Sequence, residues 1–500
     1  MTAKGGSTGG RSPREIELKL AVSARDLPSL RQRLARLGDG KELDVDNVYF
    51  DTADGLLRGS RMALRVRKIG RRWVQTLKTE AAAGALSSRG EWEVSAPRGR
   101  LDIGRFADTP LAGLLQANAG ARLQPVFRTR FRRFVCSARG GSIEVALDEG
   151  EIAAGDRRAP ILELELELKS GAVESLYRLA AELTGKADEA LALLPAVESK
   201  AARGYRLAGG EAAAPRKANS AAVAAALTPD TTVAAALRDV VGRATTLLLA
   251  NAGAVDAGDP EFVHQARVAA RRLRSAARLL GKAAGWPGSV DDDLRWIARR
   301  LGAVRDWDVL QTQTLPALVA ALPAARPLLE QAPAARQRDD RALREALASP
   351  RYARLALRLL RWANSPAGDA PTLAAAARKR LARLHRRLFE AAAFFVALPV
   401  EQQHRVRIRA KRLRYALDLF ATALPARLAR RYVERLAHLQ DELGALNDAV
   451  VAATLAPALA RAAGVDAQPA LDWLRQQHRD RALSAEAALA ALVRLPRPWG

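Results

Sequence analysis

The sequence predicts an α+β N-terminal half, an eight-stranded antiparallel β tunnel with helices, followed by an all-α half of two duplicated helical bundles. Three observations predict this architecture. Eight short runs between residues 15 and 168 alternate in polarity, as strands do. Residues beyond about 231 are rich in Ala, Leu and Arg with helical spacing. Within that helical half, one set of motifs recurs after about 140 residues.

Composition limits the classes of protein that the chain can belong to. Its 500 residues favour two or three domains, and a hydrophobic fraction of 49% excludes wholesale disorder. The net charge of +26 predicts a polyanionic partner.

A single cysteine, Cys136, rules out an internal disulfide and fits a reducing compartment, so we expect a cytoplasmic protein. Residues 1–13 form a Gly/Ser-rich tail that we predict to be disordered and not a signal peptide. No run of 18 apolar residues occurs, so no membrane contact is expected.

The first strand is predicted from unbroken alternation over residues 15–20. Side chains of a strand alternate between faces, so Glu15, Glu17 and Lys19 share one face and the apolar residues take the other. Two carboxylates about 7 Å apart with a lysine beyond them suit a divalent cation together with an anionic ligand. The alternative is an ordinary amphipathic strand with its charged face in water.

The later elements follow in order up to residue 168. Helical spacing over residues 27–37 ends at Gly38, and turn residues such as Gly70 and Gly140-Gly141 indicate hairpins. The predicted strands carry Arg and Lys on some members and Glu on others; they lie at 46–51, 62–68, 72–78, 89–95, 125–136, 142–148 and 161–168. If the strands close on themselves, the charged faces meet in a polar tunnel. Carboxylates there would hold Mg²⁺ or Mn²⁺, and the basic residues would neutralise a phosphate chain.

Several motifs of residues 14–208, taken together and in order, resemble the CYTH, or triphosphate tunnel metalloenzyme, family. They are Glu15-x-Glu17-x-Lys19, Asp46-Asn47-Val48-Tyr49-Phe50-Asp51-Thr52, Leu64-Arg65-Val66-Arg67, Thr76-Leu77-Lys78, Asp148, Glu163-x-Glu165 and Ser199-Lys200-x-x-Arg203-Gly204-Tyr205. The resemblance implies an antiparallel tunnel that hydrolyses or cyclises triphosphates with a divalent metal, Mg²⁺ or Mn²⁺.

The resemblance also implies roles for particular residues. The implied metal ligands are Glu15, Glu17, Glu163 and Glu165; the implied catalytic residues are Glu165, Asp148 and Lys200; and the implied substrate ligands are Lys19, Arg65, Arg67, Lys78, Arg130, Arg133 and Lys200. Two assignments stay open. The arginine of the sixth strand is Arg130 or Arg133, which fall on opposite faces. The ladder Glu163, Glu165, Glu167 offers three residues for two metal-binding places, and we take the first two.

Residues 209–230 are rich in Ala, Gly, Pro and Lys and are predicted to link the two domains. The helical domain, residues 231–495, contains an internal repeat in which residues 264–274 align without gaps to 404–414, and 301–306 align to 443–448. At about 100° per residue, offsets of 3, 7 and 10 fall within about 80° of the first position. Two narrow basic stripes result, His264, Arg267, Arg271, Arg274 and His404, Arg407, Lys411, Arg414.

The alternative for these stripes is a solvated helix face, but the same stripe occurs twice. Residues 219–495 resemble the CHAD domain, with His264 and His404 at its name-giving histidines. The resemblance implies that the stripes bind inorganic polyphosphate between two helical bundles. Chelation of a metal by these histidines gains little support, because each is surrounded by cations.

The predicted function is metal-dependent hydrolysis of inorganic triphosphate to diphosphate and phosphate in the tunnel, with polyphosphate binding by the helical domain. The alternatives are thiamine-triphosphate hydrolysis, cyclic-AMP formation from ATP, and a non-catalytic binding protein of polyphosphate granules. Nucleic acid is not expected as a partner, because the helical half has few aromatic residues for base stacking. The sequence predicts a cytoplasmic location, in association with polyphosphate granules, and leaves the oligomeric state open.

Overall fold

The computed structural model describes residues 14–79, 86–186, 189–224 and 226–500. The predicted tail, residues 1–13, lies outside the described residues. The chain divides into two compact units. The first comprises the described residues up to Ala214 together with residues 349–357, and the second comprises residues 215–348 and 358–500.

The first unit contains nine strands and five helices in its described part. The strands are β1 (Arg14–Ala21), β2 (Lys41–Asp51), β3 (Met62–Ile69), β4 (Arg72–Thr79), β5 (Leu86–Ser95), β6 (Gln124–Ala138), β7 (Ile143–Ala154), β8 (Arg157–Leu168) and β9 (Leu194–Pro195). The helices are α1 (Leu27–Ala35), α2 (Leu56–Gly59), α3 (Pro110–Ala117), α4 (Glu174–Thr184) and α5 (Lys200–Ala208).

The strands form one antiparallel sheet in the order β5-β4-β3-β2-β6-β7-β8-β1-β9, and β1 also pairs with β5. Each of the eight long strands therefore pairs with two others of the eight, and the predicted eight-stranded antiparallel architecture is confirmed. The two-residue strand β9, which the sequence did not predict, pairs with the end of β1. Gly70 and Gly140 adopt positive φ angles of 57° and 63° at the hairpin turns, as the sequence predicted.

The two faces of the sheet carry different kinds of side chain. Apolar side chains such as Leu18, Leu20 and Leu166 are fully buried on the outer face of β1 and β8, where α4 packs. Their charged neighbours in sequence must then point to the inner face, because successive side chains of a strand alternate. The outer apolar contacts therefore fix the charged residues around an inner cavity.

Helix α5 carries Lys200 to this inner face. The helix begins at Ser199, whose hydroxyl accepts a hydrogen bond of 3.1 Å from the backbone N–H of Ala202. It packs on β6 through Tyr205, whose ring meets Phe127 edge-on at 5.0 Å. Phe127 in turn stacks on Tyr49 with ring centroids 4.3 Å apart. The three rings hold the helix in place, so the position of Lys200 depends on this packing.

We expect Gly204→Ala to destabilise the first unit. An added Cβ would lie 2.1 Å from the ring of Phe127, and that ring cannot move away because Tyr49 and Tyr205 contact it. Overpacking of this kind costs about 1–3 kcal/mol of unfolding free energy, which lowers Tm by roughly 2–4 °C per kcal/mol. Thermal unfolding measures the change. Gly113→Ala on α3 is the control: an added Cβ there contacts nothing within 4 Å, so helix propensity should raise stability slightly.

The second unit is helical throughout its described part, as predicted. Its helices are α6 (Ser220–Ala224), α7 (Val233–Ala252), α8 (Pro260–Ala284), α9 (Asp291–Val309), α10 (Leu315–Ala321), α11 (Arg326–Leu347), α12 (Pro350–Ala363), α13 (Leu373–Ala391), α14 (Val400–Leu419), α15 (Ala426–Ala463) and α16 (Gln468–Val493). Residues 350–357 of α12 group with the first unit. Residues 215–230 of the predicted linker belong to the second unit, where Ala218 and Val223 are buried.

The internal repeat is visible in the structure of this unit. Thr232 and Thr372, 140 residues apart, cap α7 and α13 in the same way, each accepting a 3.2 Å hydrogen bond from a backbone N–H three residues on. The two threonines also form an antiparallel bridge with each other. Helices α8 and α14, which carry the two predicted stripes, pack against each other. The two repeats thus meet along equivalent elements.

Helix α15 is the one helix in the described part of the chain that is long and apolar enough, by length and composition alone, to cross a membrane. The same helix packs against α14 and α16, and its leucines Leu436, Leu439 and Leu443 are buried.

Candidate functional site

The inner face of the sheet surrounds a cavity of about 600 Å³. Acidic and basic side chains from seven strands and from α5 line it, so it is a charged cavity with little room for an apolar ligand. The lining residues are Glu15, Glu17, Lys19, Tyr49, Ala63, Arg65, Arg67, Lys78, Glu91, Glu93, Arg133, Glu144, Ala146, Glu165, Glu167, Lys169, Ser199, Lys200 and Ala201.

Strand register places the charges of one wall in rows. Arg133 of β6 lies opposite Asp148 of β7, which lies opposite Glu163 of β8. One step along, Glu165 of β8 lies opposite Lys19 of β1. Arg133 joins the two rows, because its guanidinium donates to Asp148 at 2.6 Å and to Glu165 at 2.6 Å. Opposite charges on neighbouring strands therefore compensate one another across this wall.

Lys200 enters the same wall from α5. Its ammonium lies 2.7 Å from a carboxylate oxygen of Asp148 and 3.0 Å from one of Glu165, and it also contacts Glu163. Burial acts to lower the pKa of Lys200, but these three carboxylates outweigh burial and raise it above its usual value. Burial likewise opposes ionisation of Glu165, yet Lys200, Lys19 and Arg133 hold the pKa of Glu165 well below its usual range. Both groups are therefore charged at neutral pH.

The opposite wall presents cations to the cavity. Lys78 of β4 lies 2.7 Å from Glu15 and 2.9 Å from Glu91. Arg67 donates a 2.7 Å hydrogen bond to the side-chain oxygen of Asn47. Burial and the neighbouring Arg65 and Arg133 lower the pKa of Arg67 to about 9. Burial is the largest of these causes and the two arginines add to it, so an anionic ligand beside Arg67 would favour its charged form.

The carboxylates of the cavity fit a divalent cation. Ligand oxygens of Asp148, Glu163 and Glu165 lie within 4.8 Å of one another. Glu15 and Glu17 line the same cavity from β1. Carboxylate oxygens are the donors that Mg²⁺ and Mn²⁺ prefer, so the residues present suit either ion. In the structure, Lys19 and Lys200 both pair with a carboxylate oxygen of Glu165.

The structure brings most of the predicted tunnel residues together. Lys19, Arg65, Arg67, Lys78, Arg133, Lys200, Glu15, Glu17 and Glu165 line the cavity. Asp148 and Glu163 lie behind Lys200, with exposed fractions of 0% and 2%. Glu167, to which the sequence analysis gave no metal role, lines the cavity, as do Glu91 and Glu144. Alternation places Glu167 on the same face as Glu163 and Glu165, but it does not show how far along the tunnel each one lies.

The prediction that Arg130 binds substrate in the tunnel is wrong. Arg130 lies on the other face of β6, its side chain is 60% exposed, and it pairs with Asp46 at 3.5 Å. Arg133, three residues on, falls on the inner face because of strand alternation. Of the two arginines that the sequence left open, the inner one is therefore Arg133.

The two stripes of the helical unit meet around a shared basic cluster. Arg267 of α8 lies so close to α9 that an added Cβ at Gly302 would be 2.6 Å from its guanidinium nitrogen. Arg407 of α14 donates to Asn447 of α15 at 3.0 Å, and the ring Nδ1 of His404 lies 3.0 Å from the same oxygen. Burial lowers the pKa of Arg267 and of Arg407, Arg271 adds to both effects, and Arg267 adds to the effect on Arg407. Residues from both repeats therefore share one positive field.

Four of the eight predicted stripe residues form the centre of this field: Arg267, Arg271, Arg407 and Lys411. The outer members have other surroundings. Arg274 faces Arg278 and the cations of α9, and Arg414 pairs with Asp418 at 3.1 Å. His264 is partly buried, whereas His404 is exposed.

Two aspartates occupy equivalent places in the repeats beside this centre. Burial raises the pKa of Asp306 on α9 and of Asp448 on α15. Nearby stripe arginines offset part of that rise in each case. In the sequence they stand out only as part of the repeat. Their negative charges partly offset the positive field of the cluster.

Two family models match the chain. The CYTH domain model matches residues 13–205, and the CHAD domain model matches residues 239–457. An inorganic triphosphatase of Haemophilus influenzae is 34% identical over 200 residues, which are 39% of this chain and 54% of that protein. The chain thus spans about half the length of this curated relative.

Solved structures resemble each half separately. The CHAD domain from the plant Ricinus communis is 36% identical, with a TM-score of 0.50, and the match covers 57% of this chain and 99% of that one. A putative adenylyl cyclase from Hippeastrum, described as having a dominant triphosphatase activity, is 22% identical with a TM-score of 0.31, covering 40% of this chain and 97% of that one. The chain therefore belongs to the proteins in which a CYTH domain is followed by a CHAD domain.

Proposed function

We propose that this protein hydrolyses inorganic triphosphate to diphosphate and phosphate in its tunnel, using Mg²⁺ or Mn²⁺, and that its helical unit binds inorganic polyphosphate. The observation that carries the first part is the cavity of about 600 Å³ whose lining joins paired carboxylates to seven basic side chains. A carboxylate-bound cation together with basic side chains is what phosphoryl transfer requires. The similarity to an inorganic triphosphatase supports the same reaction.

The basic residues act on the substrate charge. Arg65, Arg67 and Lys78 come from adjacent strands β3 and β4 and present their side chains to one cavity. A triphosphate placed against them loses its self-repulsion, and charge that spreads over the transferred phosphoryl group is stabilised without rearrangement. Burial and the neighbouring arginines disfavour the charged form of Arg67 in the free protein, and a bound anion would favour it.

The acidic wall positions the cation and the water. Glu15, Glu17 and Glu165 are the cavity residues that would hold Mg²⁺ or Mn²⁺. When bound, such a cation polarises the terminal phosphate and lowers the pKa of a coordinated water. Because the pKa of Glu165 is well below its usual range, this carboxylate is a weak base. Its role is to accept a hydrogen bond from the water and orient it. Arg133 and Lys200 hold Glu165 in place and are positioning residues for it.

One assay tests the tunnel reaction against its alternatives. Phosphate release is measured from triphosphate, ATP, thiamine triphosphate and long-chain polyphosphate, each with Mg²⁺, with Mn²⁺ and with EDTA. We expect the highest kcat/KM for triphosphate and no turnover with EDTA. Faster turnover of thiamine triphosphate, or cyclic AMP from ATP, would replace the substrate assignment. Binding of all four without turnover would make the tunnel a receptor, as in a granule-binding protein.

The basic cluster between α8 and α14 supports the polyphosphate assignment. Arg267 and Arg271 come from one repeat, and Arg407 and Lys411 come from the other. The three arginines repel one another and disfavour the charged form of Lys411, and a phosphate chain that contacts both helices would offset this positive field. A cytoplasmic location, with recruitment to polyphosphate granules, is part of this proposal.

We expect polyphosphate binding to take up a proton at Lys411. Burial, and then Arg407, Arg271 and Arg267, lower the pKa of Lys411 to about 6, with Asp448 acting in the opposite direction. Its amine is therefore mostly neutral at pH 7.5 in the free protein, and a bound polyanion raises the pKa and reprotonates it. Affinity should rise as pH falls from 8 to 6. Calorimetry in two buffers of different ionisation enthalpy measures the uptake.

The test variant is Lys411→Met, in which proton uptake should fall. It retains His264, a nearby histidine whose pKa is also lowered by burial. Equal uptake in both proteins would assign the proton to His264. The same shift predicts that the free protein gains stability as pH rises from 6 toward 10.5, because the unfolded state binds the extra proton across that window.

A further inference from the structure

A second large cavity lies in the helical unit, separate from the basic cluster. It has a volume of about 650 Å³, within the usual range for small-molecule sites. Helices α6, α7, α8, α13 and α14 form it. Residues at equivalent places in the two repeats face it, Arg272 with Arg412 and Leu279 with Leu419. The cavity therefore lies where the two repeats meet, beyond the stripe residues along α8 and α14.

The inner wall of this cavity is aliphatic. Val223, Val240 and Leu419 are buried there, and Leu279 and Leu384 are partly exposed to it. The wall contains one aromatic ring, Tyr415, and the guanidinium of Arg272 covers it at 5.1 Å from the ring centroid. A nucleobase would find no free ring on which to stack, and a bare phosphate chain would leave the aliphatic wall without an apolar partner.

The rim of the cavity is cationic: Arg278, Lys282, Lys379, Arg383, Arg387 and Arg412 line it and are all exposed. Among the described residues, none of these six lies within 4 Å of a carboxylate, and the lining contains one acid, Asp418. Both oxygens of Asp418 are already used, by Arg272 at 3.1 Å, Arg414 at 3.1 Å and the hydroxyl of Ser220 at 2.6 Å. Burial and the neighbouring Arg278, Arg409 and Arg387 lower the pKa of Arg412. The rim therefore lacks an internal counter-charge.

We propose that this cavity binds an anionic amphiphile: a single aliphatic chain that ends in a phosphate or carboxylate group. The chain lies against the aliphatic wall, where its transfer from water is favourable. The head group meets the exposed arginines of α13 and α14, which bind phosphate and carboxylate in a bidentate manner. The inference depends neither on the tunnel reaction nor on the polyphosphate site.

Isothermal titration of the full-length protein tests the proposal with dodecyl phosphate below its critical micelle concentration. Dodecyl maltoside, which has the same chain and a neutral head, and methyl phosphate, which has the same head and no long chain, are titrated alongside. We expect dodecyl phosphate to bind at least about tenfold more tightly than either, because only it uses both surfaces. Equal affinity for the maltoside, or equal or tighter binding of methyl phosphate, would overturn the proposal.

Two double variants separate the two surfaces. Arg387→Gln with Arg412→Gln should weaken dodecyl phosphate at least about tenfold, since two charge-assisted contacts to the head are lost. Leu279→Asn with Leu384→Asn should weaken it while leaving methyl phosphate binding unchanged. Arg378→Gln with Arg405→Gln is the matched control, because both are exposed on the same two helices but do not line the cavity. Equal losses in the control variant would mean that only general charge matters.

A further arm distinguishes a soluble ligand from a membrane. Vesicles of phosphatidylglycerol are tested by co-sedimentation against vesicles of phosphatidylcholine. Binding to the anionic vesicles without binding to monomeric dodecyl phosphate would assign the surface to a membrane and overturn the proposal. Binding of monomeric dodecyl phosphate that the variant pairs weaken as described would support it. Circular dichroism confirms that each variant is folded.

Discussion

Replacing Glu15 and Glu17 together by glutamine should abolish triphosphate hydrolysis while leaving the protein folded. Both carboxylates line the tunnel cavity, and they lie next to Lys78 and Lys19 at 2.7 and 2.8 Å. Loss of a residue that only supports a metal ligand already costs about 10–100-fold in activity or metal affinity, so loss of two ligands should cost at least about 100-fold in kcat. Glutamine keeps the shape of each side chain, so Tm should change little.

Two measurements accompany the rate. Electron paramagnetic resonance should show weaker Mn²⁺ binding in the double variant. Triphosphate binding in EDTA should be retained or strengthened, since the cavity becomes more positive by two charges. The control variant is Glu42→Gln with Glu151→Gln, two strand carboxylates with side chains 45% and 49% exposed outside the cavity. Near wild-type turnover in Glu15→Gln with Glu17→Gln would show that the metal ligands lie elsewhere, and Glu165 with Glu167 would be the next pair to test.

Alternation explains why the inward face of the first strand could be predicted from sequence and why the inward face of the sixth strand could not. Glu15, Glu17 and Lys19 are charged on one face only, so period two fixes their side of the sheet. Strand β6 carries arginines on both faces, and its sequence alone does not say which face is inside. Register decides: Arg133 lies opposite Asp148, whereas Arg130 lies opposite Asp46 and Glu151. Register depends on strand partners far apart in sequence.

The sequence also could not predict how deep in the tunnel each glutamate of β8 lies. Glu163, Glu165 and Glu167 share one face of β8, as predicted. They differ in depth because Lys200 covers Glu163, while Glu167 stays in the open part of the cavity. Helix α5 sets that difference through the packing of Tyr205 on Phe127. A contact between residues about 80 positions apart leaves no periodic pattern, so only the motif around Lys200 pointed to its role.

In the helical unit the repeat predicted which residues are equivalent but not what surrounds them. Arg271 and Lys411 occupy matching places, and the structure brings both into one positive field. The equivalent glycines behave differently: Gly302 lies against Arg267, whereas a Cβ at Gly444 would contact nothing within 4 Å. The stripe pattern also gave no sign of the aliphatic cavity nearby. That cavity depends on α6 and α13 as well as on the repeated helices.

Replacing Arg271 and Lys411 together by glutamine should strongly weaken the binding of long-chain polyphosphate. The two residues are equivalent in the repeats, and each lies in the field of Arg267. A polyanion that contacts both helices loses one cation on each side. Each charge-assisted contact contributes about 1.5–3 kcal/mol, so the pair should lower affinity at low salt by roughly 100-fold or more.

Salt dependence gives a second, independent readout. Each phosphate neutralised on a single-stranded polyanion contributes about −0.7 to the slope of log affinity against log salt, so two lost cations should reduce the slope by roughly 1.4. Titration of polyphosphate at several salt concentrations measures this. Arg427→Gln with Arg430→Gln is the matched control, since both are exposed at the start of α15 and away from the cluster.

The comparison of the two variants decides the role of the cluster. We expect the control pair to lose less than about threefold in affinity, because exposed charges at a distance are screened by salt. Affinity should also rise with chain length until both helices are spanned, and it should exceed the affinity for single-stranded DNA of equal charge. Equal losses in both variants, or equal affinity for DNA, would reduce the cluster to general positive charge. A large, length-dependent loss confined to Arg271→Gln with Lys411→Gln would assign polyphosphate to the surface between α8 and α14.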